Sequence, residues 1–216
     1  KDPATTYNYT LPQHDALPIY DFQGGVARVG KKYGGPEYYI DTTGKDVTAT
    51  VSAGLSVYLD DAASRFGYLR ADGTRLTDPL FVEAEPFRDG TAIASVNPDP
   101  NGTGSLYGLL DTEGRWLLEP VHSGIRRMQN GLFAVGEPMR EPMWAYEPYM
   151  DYTDMALYTS TGTQILDHAL LSIENADNRR VSVSDGRQIW LVDETGAADP
   201  AFKPIAGNGS VKIVRE

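Results

Sequence analysis

Short apolar stretches recur along the chain in pairs, and each pair ends in a turn. The first stretch follows a glycine, and the second is aromatic and aliphatic and runs into Asp-x-x-Gly or a related sequence. The pairs are GGVARV with YYIDTTG, AGLSVYL with FGYLRADG, DGTAIASV with YGLLDTEG, NGLFAVG with ALYTSTG and NRRVSVS with WLVDETG, followed by a half phrase, NGSVKIV. Self-similarity of this kind predicts a repeat architecture, with units one to five and a final half unit.

The first stretch of each unit reads as a β-strand with one buried face. The strands align on Gly25, Gly54, Gly90, Gly131, Arg179 and Gly209. Positions two and four residues later are mostly apolar: Ala27 and Val29, Ser56 and Tyr58, Ala92 and Ala94, Phe133 and Val135, Val181 and Val183, Val211 and Ile213. Side chains alternate along a strand with period two, so these positions share the face that we expect to form the core.

The second stretch reads as a strand that ends in a tight turn. The turns align on Gly44, Gly73, Gly114, Gly162 and Gly196. Three residues earlier stand Asp41, Asp111 and Asp193. An Asp side chain can accept hydrogen bonds from backbone N–H groups ahead of it, while Gly adopts the left-handed conformation easily. We therefore interpret these aspartates as turn formers rather than catalytic carboxylates.

A third short strand is predicted after four of the turns, in DVTATV, RLTDPLF, RWLLEP and QILDHAL. No long stretch has a helical apolar period, and 22 Gly and 14 Pro interrupt the chain. The predicted fold is all-β, an open curved array of about five and a half antiparallel units with two or three strands each. A closed propeller-like ring is the alternative, if the N-terminal TYNYTLP completes a unit.

The aligned repeat units resemble those of the WG-repeat family. Units of that family have the rough pattern F-x-x-G-L-A-x-V, then W-G-Y-I-D-x-x-G-K, then a short strand. The matching stretches are YDFQGGVARV with YYIDTTGKDV, FGYLRADGTRL and LYGLLDTEGRWLLEP. The Trp-Gly pair is replaced by Phe66-Gly67 and Tyr107-Gly108 in two units and is absent from the others. We assign residues 17–216 to the repeat domain and residues 1–16 to an N-terminal segment or partial repeat.

The resemblance implies antiparallel β units with a binding role, often in exported or surface-associated bacterial proteins, and it supplies no catalytic residues. We therefore expect a bacterial protein located outside the cytoplasm or at the cell surface, with a cytoplasmic location left open. The chain starts at Lys1 rather than Met, which predicts a trimmed or processed N-terminus.

Composition narrows the classes of partner. The chain has 30 acidic and 19 basic residues, a net charge of −11, and no basic stripe, so nucleic acid is not an expected partner. It has no Cys, which excludes disulfides and thiolate metal sites. No apolar run approaches the roughly 20 residues that span a bilayer.

The most unusual segment is the insertion of unit four, EPMREPMWAYEPYMDYTD, from Glu137 to Asp154. Rigid aromatic and adaptable Met side chains on a loop are typical of recognition surfaces. The candidate ligand-binding residues are Met143, Trp144, Tyr146, Tyr149 and Tyr152. The alternative is that this segment folds over the array and buries its aromatic side chains.

Other candidate chemistry is weaker. Asn97–Gly104 echoes part of a calcium loop, but hairpin chemistry explains it better. His14, His122 and His168 lack the spacing of metal ligands, and we expect no metal or cofactor. Two acidic pairs, Asp60 with Asp61 and Glu83 with Glu85, have the residue type of a glycosidase acid and base, but we interpret them as solvated loop residues.

We therefore expect a non-enzymatic binding or scaffold module whose partner is a protein or a glycan. Two alternatives remain. A carbohydrate-active enzyme would hold two carboxylates about 5–10 Å apart, and an architectural spacer would need no recognition surface.

Overall fold

The structure, a computed structural model, describes residues 26–30, 38–98, 104–136, 154–177, 179–207 and 209–211. The strands are β1 Val26–Val29, β2 Tyr38–Asp41, β3 Ser56–Asp60, β4 Arg65–Leu69, β5 Glu83–Ala84, β6 Thr91–Val96, β7 Leu106–Asp111, β8 Trp116–His122, β9 Gly124–Arg127, β10 Leu132–Gly136, β11 Met155–Thr159, β12 Gln164–Leu170, β13 Ser172–Asn175, β14 Val181–Ser184, β15 Gln188–Val192 and β16 Ile205–Ala206. A short helix, α1, covers Thr48–Val51, and a 3-10 turn covers Gln129–Gly131.

Each repeat unit forms its own antiparallel sheet from consecutive strands. Units one and two give the two-stranded sheets β1-β2 and β3-β4. Units three, four and five give four-stranded sheets in the orders β5-β6-β7-β8, β9-β10-β11-β12 and β13-β14-β15-β16. None of these described sheets closes into a barrel. The predicted all-β fold and the open array are confirmed.

Units three and four contain one strand more than predicted, and unit five contains two more, β13 and β16. Strands β5, β9 and β13 precede the aligned Gly or Arg and pair with the first strand of their unit. Their sequences carry charges, such as Glu83 and Arg126, in place of an apolar alternation. These charged residues explain why the three strands were not predicted. Charged side chains also suit the edges of sheets, where they hinder pairing with another chain.

Two of the four predicted third strands are wrong. DVTATV contributes one bridge, between Ile40 and Asp46, and then turns into α1. The Asp46 carboxylate accepts a hydrogen bond from the Thr48 N–H at 2.9 Å, a local contact that competes with strand pairing. RLTDPLF is reduced to bridges at Arg75 and Phe81. RWLLEP and QILDHAL form β8 and β12 as predicted.

The hydrophobic cores lie between neighbouring sheets. One core combines Phe81 of unit two with Phe87 and Ala92 of unit three. The next combines residues of units three and four: Ile93, Leu109, Leu118, Ile125, Phe133, Val135, Ala156 and Tyr158. A further core joins units four and five: Met128, Leu132, Ala134, Met155, Leu157, Leu170, Ile173, Val181, Val183 and Val192. The sheets of units two to five therefore stack face to face.

This stacking explains why the aligned strand positions are apolar. It also shows that the positions between them are buried. Ala92 and Ala94 pack toward unit two, whereas the intervening Ile93 packs toward unit four. Strand β6 is consequently buried on both faces, as are β10 and β14. Unit two departs from the predicted column, because Ser56 is exposed and Tyr58 is half-buried.

The turn glycines sit against the preceding unit at a constant position. A Cβ built on Gly114 would contact Leu76, one on Gly162 would contact Leu117, and one on Gly196 would contact Ile165. Each of these partners lies three residues after the turn glycine of its own unit. Gly73 of unit two has no such neighbour within 4 Å. Units two to five thus stack in one register, and the junction between units one and two differs.

We predict that Gly162→Ala destabilises the protein more than Gly73→Ala. Both glycines have positive φ, 78° and 82°, so both substitutions incur backbone strain of about 1–2 kcal/mol. Only at position 162 would the new Cβ overlap a backbone atom, the Leu117 carbonyl oxygen, adding about 1–3 kcal/mol. Urea denaturation of the two variants measures the difference, and equal losses would disprove the inter-unit contact.

Candidate functional site

The predicted ligand-binding residues Met143, Trp144, Tyr146, Tyr149 and Tyr152 lie outside the described residues. The structure describes the ends of the insertion that carries them. It leaves β10 at Gly136 and returns at Asp154 to enter β11, and Gly136 pairs with Met155 in the antiparallel ladder. The insertion is therefore a hairpin connection whose two ends are held side by side.

The corresponding connections of other units are shorter. In unit five, Asp185–Arg187 joins β14 to β15, and the Asp185 carboxylate accepts hydrogen bonds from the N–H groups of Arg187 and Gln188, both at 2.9 Å. In unit three, Val96 pairs with Leu106. The Asn97–Gly104 segment is therefore a hairpin connection as predicted, with residues 99–103 outside the described part.

The Asp-x-x-Gly aspartates form the turns, as their sequence predicts. Asp41 Oδ1 accepts hydrogen bonds from the Thr43 N–H at 2.8 Å, the Thr43 hydroxyl at 2.6 Å and the Lys45 N–H at 3.1 Å. Asp193 repeats the pattern with Thr195 and Ala197. The threonine hydroxyl in each turn lowers the pKa of its aspartate. These carboxylates are held ionised for turn formation.

Three of the four carboxylates considered for a glycosidase, those of Asp60, Glu83 and Glu85, are engaged in separate contacts. Asp60 Oδ1 accepts backbone N–H groups of its own turn, and its Oδ2 lies 3.6 Å from Arg75. Glu83 accepts a hydrogen bond from the Tyr107 hydroxyl at 3.1 Å, and Glu85 forms an ion pair with Arg28. Burial, followed by the charge of Glu83, raises the pKa of Tyr107.

A partly buried charge network links three residues of unit five. Arg180 donates to Asp177 Oδ2 at 2.6 Å and to Asp199 Oδ2 at 2.5 Å. The side chains of Asp177 and Asp199 are 10% and 15% exposed. Hydrogen bonding from Arg180 lowers the pKa of Asp177 to about 2.

We predict that Asp177→Asn lowers the free energy of unfolding at pH 7 by about 1–2 kcal/mol, because it removes a charge-assisted hydrogen bond. The folded pKa lies below the ordinary value of 3.8, so the ionised form contributes stability above that value. This contribution is lost as the pH falls from 3.8 to about 2. Urea denaturation across this range should show the two proteins converging.

The matched control is Asp61→Asn, in an exposed turn where the carboxylate makes no contact with another described residue. It should not change the pH dependence. A constant difference between wild type and the Asp177 variant down to pH 2 would contradict the assignment.

A polar junction that the sequence did not predict lies where units one, three and four meet. We call it the arginine junction, and its side chains are Arg28, Tyr39, Glu85, Arg88 and Arg127. The guanidinium of Arg88 lies 5.9 Å from the Tyr39 ring centre. The Tyr39 hydroxyl donates to the Pro86 carbonyl at 3.4 Å. No local motif marks these residues, because they come from different units.

Arg127 is held firmly within the arginine junction. Its two terminal nitrogens donate to Thr91, at 2.9 Å to Oγ1 and 3.1 Å to the carbonyl oxygen. Its guanidinium lies 4.8 Å from the ring centre of Phe133. Burial lowers the pKa of Arg127, and burial, followed by the charge of Glu85, raises the pKa of Tyr39 to about 12.

Of the three histidines, only His122 has a side chain that the structure describes. His122 is buried, with its ring centre 6.2 Å from that of Tyr158. His14 and the side chain of His168 lie outside the described residues. Among the residues that are described, no three His, Asp or Glu side chains are grouped as a metal site requires.

Gly67 and Gly108 belong to the two aromatic-Gly pairs that replace Trp-Gly, and each lies beneath an aromatic ring. A Cβ on Gly108 would lie 2.6 Å from both the Trp116 ring and the Leu118 carbonyl oxygen. A Cβ on Gly67 would lie 2.6 Å from the Tyr58 ring. Glycine is therefore required where a ring of the adjacent strand covers the backbone.

Comparison with known families agrees with this geometry. Residues 107–136, which include Gly108 and Trp116, match the model of a family described as "WG containing repeat". The predicted resemblance is confirmed. The matched segment runs from β7 through β8 and β9 to the end of β10, so it includes the contact between units three and four.

Solved structures give distant similarities. Hsv2 of Kluyveromyces marxianus is 14% identical, with a TM-score of 0.36, and the match covers 82% of this chain and 63% of that one. A eukaryotic initiation factor is 9% identical, with a TM-score of 0.36 and coverage of 92% and 56%. Hsv2p of Kluyveromyces lactis is 9% identical, with a TM-score of 0.34 and coverage of 82% and 74%. The chain thus spans about 63% of the length of the first of these.

No curated protein sequence gives a significant match. Within the described residues, no helix has both the length and the apolar character needed to cross a bilayer.

Proposed function

We propose that this chain is a non-enzymatic β-repeat binding module that contacts a protein or glycan through the insertion Glu137–Asp154. The observation that carries the proposal is the pairing of Gly136 with Met155, which anchors an aromatic-rich segment at the end of a regular hairpin. The equivalent connection in unit five, between the paired Ser184 and Ile189, needs only the four residues 185–188. The additional residues of the insertion are therefore not needed to pair β10 with β11.

The stacking of the sheets favours recognition through connections. The central strands β6 and β10 are buried on both faces by neighbouring units. A partner can therefore reach these units at connections and outer edges rather than on a sheet face. By its sequence, the insertion is the connection richest in aromatic residues, including Trp144, Tyr146 and Tyr149.

The turn aspartates support a non-enzymatic role. Turn aspartates such as Asp41 and Asp193 are used in backbone hydrogen bonds, and their pKa values are lowered. A glycosidase acid needs a raised pKa instead. By analogy with the WG-repeat proteins that the chain resembles, we infer a bacterial protein that acts outside the cytoplasm or at the cell surface.

The test replaces residues 137–154 with Asp-Gly-Arg-Gln, the four residues that lie between the paired Ser184 and Ile189 of unit five. Because Gly136 and Met155 already pair, we expect the variant to fold, with circular dichroism and an unfolding midpoint close to those of the wild type. Labelled wild-type and variant proteins are compared on glycan arrays and on arrays of bacterial surface proteins. The variant should lose binding by on the order of tenfold or more.

A matched control shortens the Asn97–Gly104 connection of unit three and should preserve binding. A second variant replaces Met143, Trp144, Tyr146, Tyr149 and Tyr152 with Ser while keeping the length of the insertion. Full binding by both insertion variants would reject the proposed surface. A spacer role makes a different prediction, because the wild-type protein should then bind on neither array.

A further inference from the structure

A cavity opens at the junction between units one and two, in the segment that connects β2 to β3. Its volume is about 380 Å³, within the range of about 300–1,000 Å³ that small-molecule sites occupy. Residues 46–50, 52 and 54–56 line it. The wall is therefore built from α1 and the turn that follows, the stretch that replaces the predicted third strand of unit one.

The cavity lies where the repeat pattern is interrupted. In units three and four, the stretch after the turn forms β8 and β12, whereas in unit one it folds into α1. The turn glycine of unit two, Gly73, also lacks the contact with the preceding unit that the turn glycines of units three to five make. The cavity is thus a departure from the repeat rather than a part of it.

One polar residue of the cavity lining is buried with an unpartnered side chain. Ser52 is 1% exposed, and its Oγ has no hydrogen-bond partner. Such a hydroxyl destabilises the folded protein, because it loses its hydrogen bonds to water and gains none in return. A ligand that forms a hydrogen bond with Ser52 would offset this loss.

Hydroxyl groups dominate the polar part of the lining. Thr48 uses its hydroxyl on the backbone of Tyr39, at 2.7 Å from the N–H nitrogen and 3.4 Å from the carbonyl oxygen. The hydroxyls of Thr50, Ser52 and Ser56 form no hydrogen bond within the described part of the chain. Each hydroxyl can both donate and accept, so the three together suit a ligand that also carries several hydroxyls.

The rest of the lining restricts the class of ligand. Leu55 is buried, and Val47 and Ala49 add aliphatic surface on which the C–H groups of a ring can pack. The described lining has no Lys or Arg and includes the acidic Asp46, so it offers no positive charge to a phosphate or a carboxylate. It has no aromatic side chain either, so it lacks a stacking surface for a planar ring.

Backbone hydrogen bonds hold the wall of the cavity in place. The N–H of Val51 donates to the Val47 carbonyl at 2.9 Å, and the N–H of Gly54 donates to the Ala49 carbonyl at 2.9 Å. The N–H of Leu55 donates to the carbonyl of Ser52 at 3.0 Å. The wall is thus formed before a ligand arrives, which keeps the ordering cost of binding low.

We propose that this cavity binds one neutral sugar ring. Several hydroxyls on an aliphatic ring match both the unpartnered hydroxyls of Thr50, Ser52 and Ser56 and the apolar surface of Leu55. The ring can be a free monosaccharide or one residue of a glycan, and the experiment distinguishes these sources. The inference goes beyond the proposed function and does not rest on the insertion.

The test titrates the isotopically labelled full chain with the methyl glycosides of glucose, galactose, mannose and N-acetylglucosamine and follows backbone amides by NMR. At least one glycoside should shift the amides of Thr50, Ser52 and Ser56 with saturation at roughly millimolar concentration. Glucuronate, which is charged, and cyclohexanol, which has one hydroxyl, should bind on the order of tenfold more weakly or less. A disaccharide ending in the preferred sugar should bind if the site takes a glycan residue, and should be excluded if it takes a free monosaccharide.

Substitution of Ser52 should have two opposite effects. Ser52→Ala removes the unpartnered hydroxyl, so it should raise the midpoint of urea denaturation of the free protein while weakening sugar binding by on the order of tenfold. A serine with only a structural role predicts no change in binding.

A second variant and a matched control complete the set. Ala49→Leu fills the cavity from an exposed position and should abolish the saturable shifts without loss of stability. Thr42→Ala changes an exposed residue of the preceding turn that does not line the cavity, and it should leave both stability and sugar binding unchanged.

Several results would overturn the proposal. These are the absence of a saturable shift with all four glycosides, binding of glucuronate or cyclohexanol as tight as that of the sugars, or an unchanged sugar affinity in Ser52→Ala or Ala49→Leu. The protein with residues 137–154 replaced should keep its sugar response. Failure of this inference and failure of the proposed function are therefore measured separately.

Discussion

Face-to-face packing of neighbouring sheets is the constraint on which the rest of this structure depends. A single unit is too small to bury its own apolar side chains, and the cores combine residues of two units, such as Ile93 with Phe133 or Leu157 with Val183. Stability therefore comes from the interfaces between units, as expected for a repeat protein. The contact of Gly162 with Leu117 keeps successive sheets in register.

The same packing separates structural from functional positions. Strands buried on both faces have no surface to offer, so the units differ mainly in the length of their connections, and the insertion beyond Gly136 is the longest of these in the sequence. Polar groups near the interfaces are mostly satisfied locally, as in the turns of Asp41 and Asp193. Arg127 is the notable departure, because its partners are neutral.

Local patterns in the sequence predicted the parts of the fold that local chemistry determines. The strand pairs and the Asp-x-x-Gly turns repeat, so they were found by alignment. Strand β9 was missed because it lies at the edge of its sheet and carries Arg126 and Arg127 in place of an apolar alternation. Helix α1 was missed because DVTATV has β-branched residues, yet the Asp46 to Thr48 contact favours a turn. The arginine junction could not be predicted from the sequence, because its residues come from different units and meet only when the units pack together.

Native-state hydrogen exchange tests most directly whether inter-unit packing makes the array cooperative. We predict that the amides of β6, β7, β10, β11, β14 and β15 share one free energy of opening across a urea series, because each core spans two units. The two-stranded sheet of unit one, which lies outside the regular register, should open at a lower free energy. Separate opening free energies for units three, four and five would contradict the account.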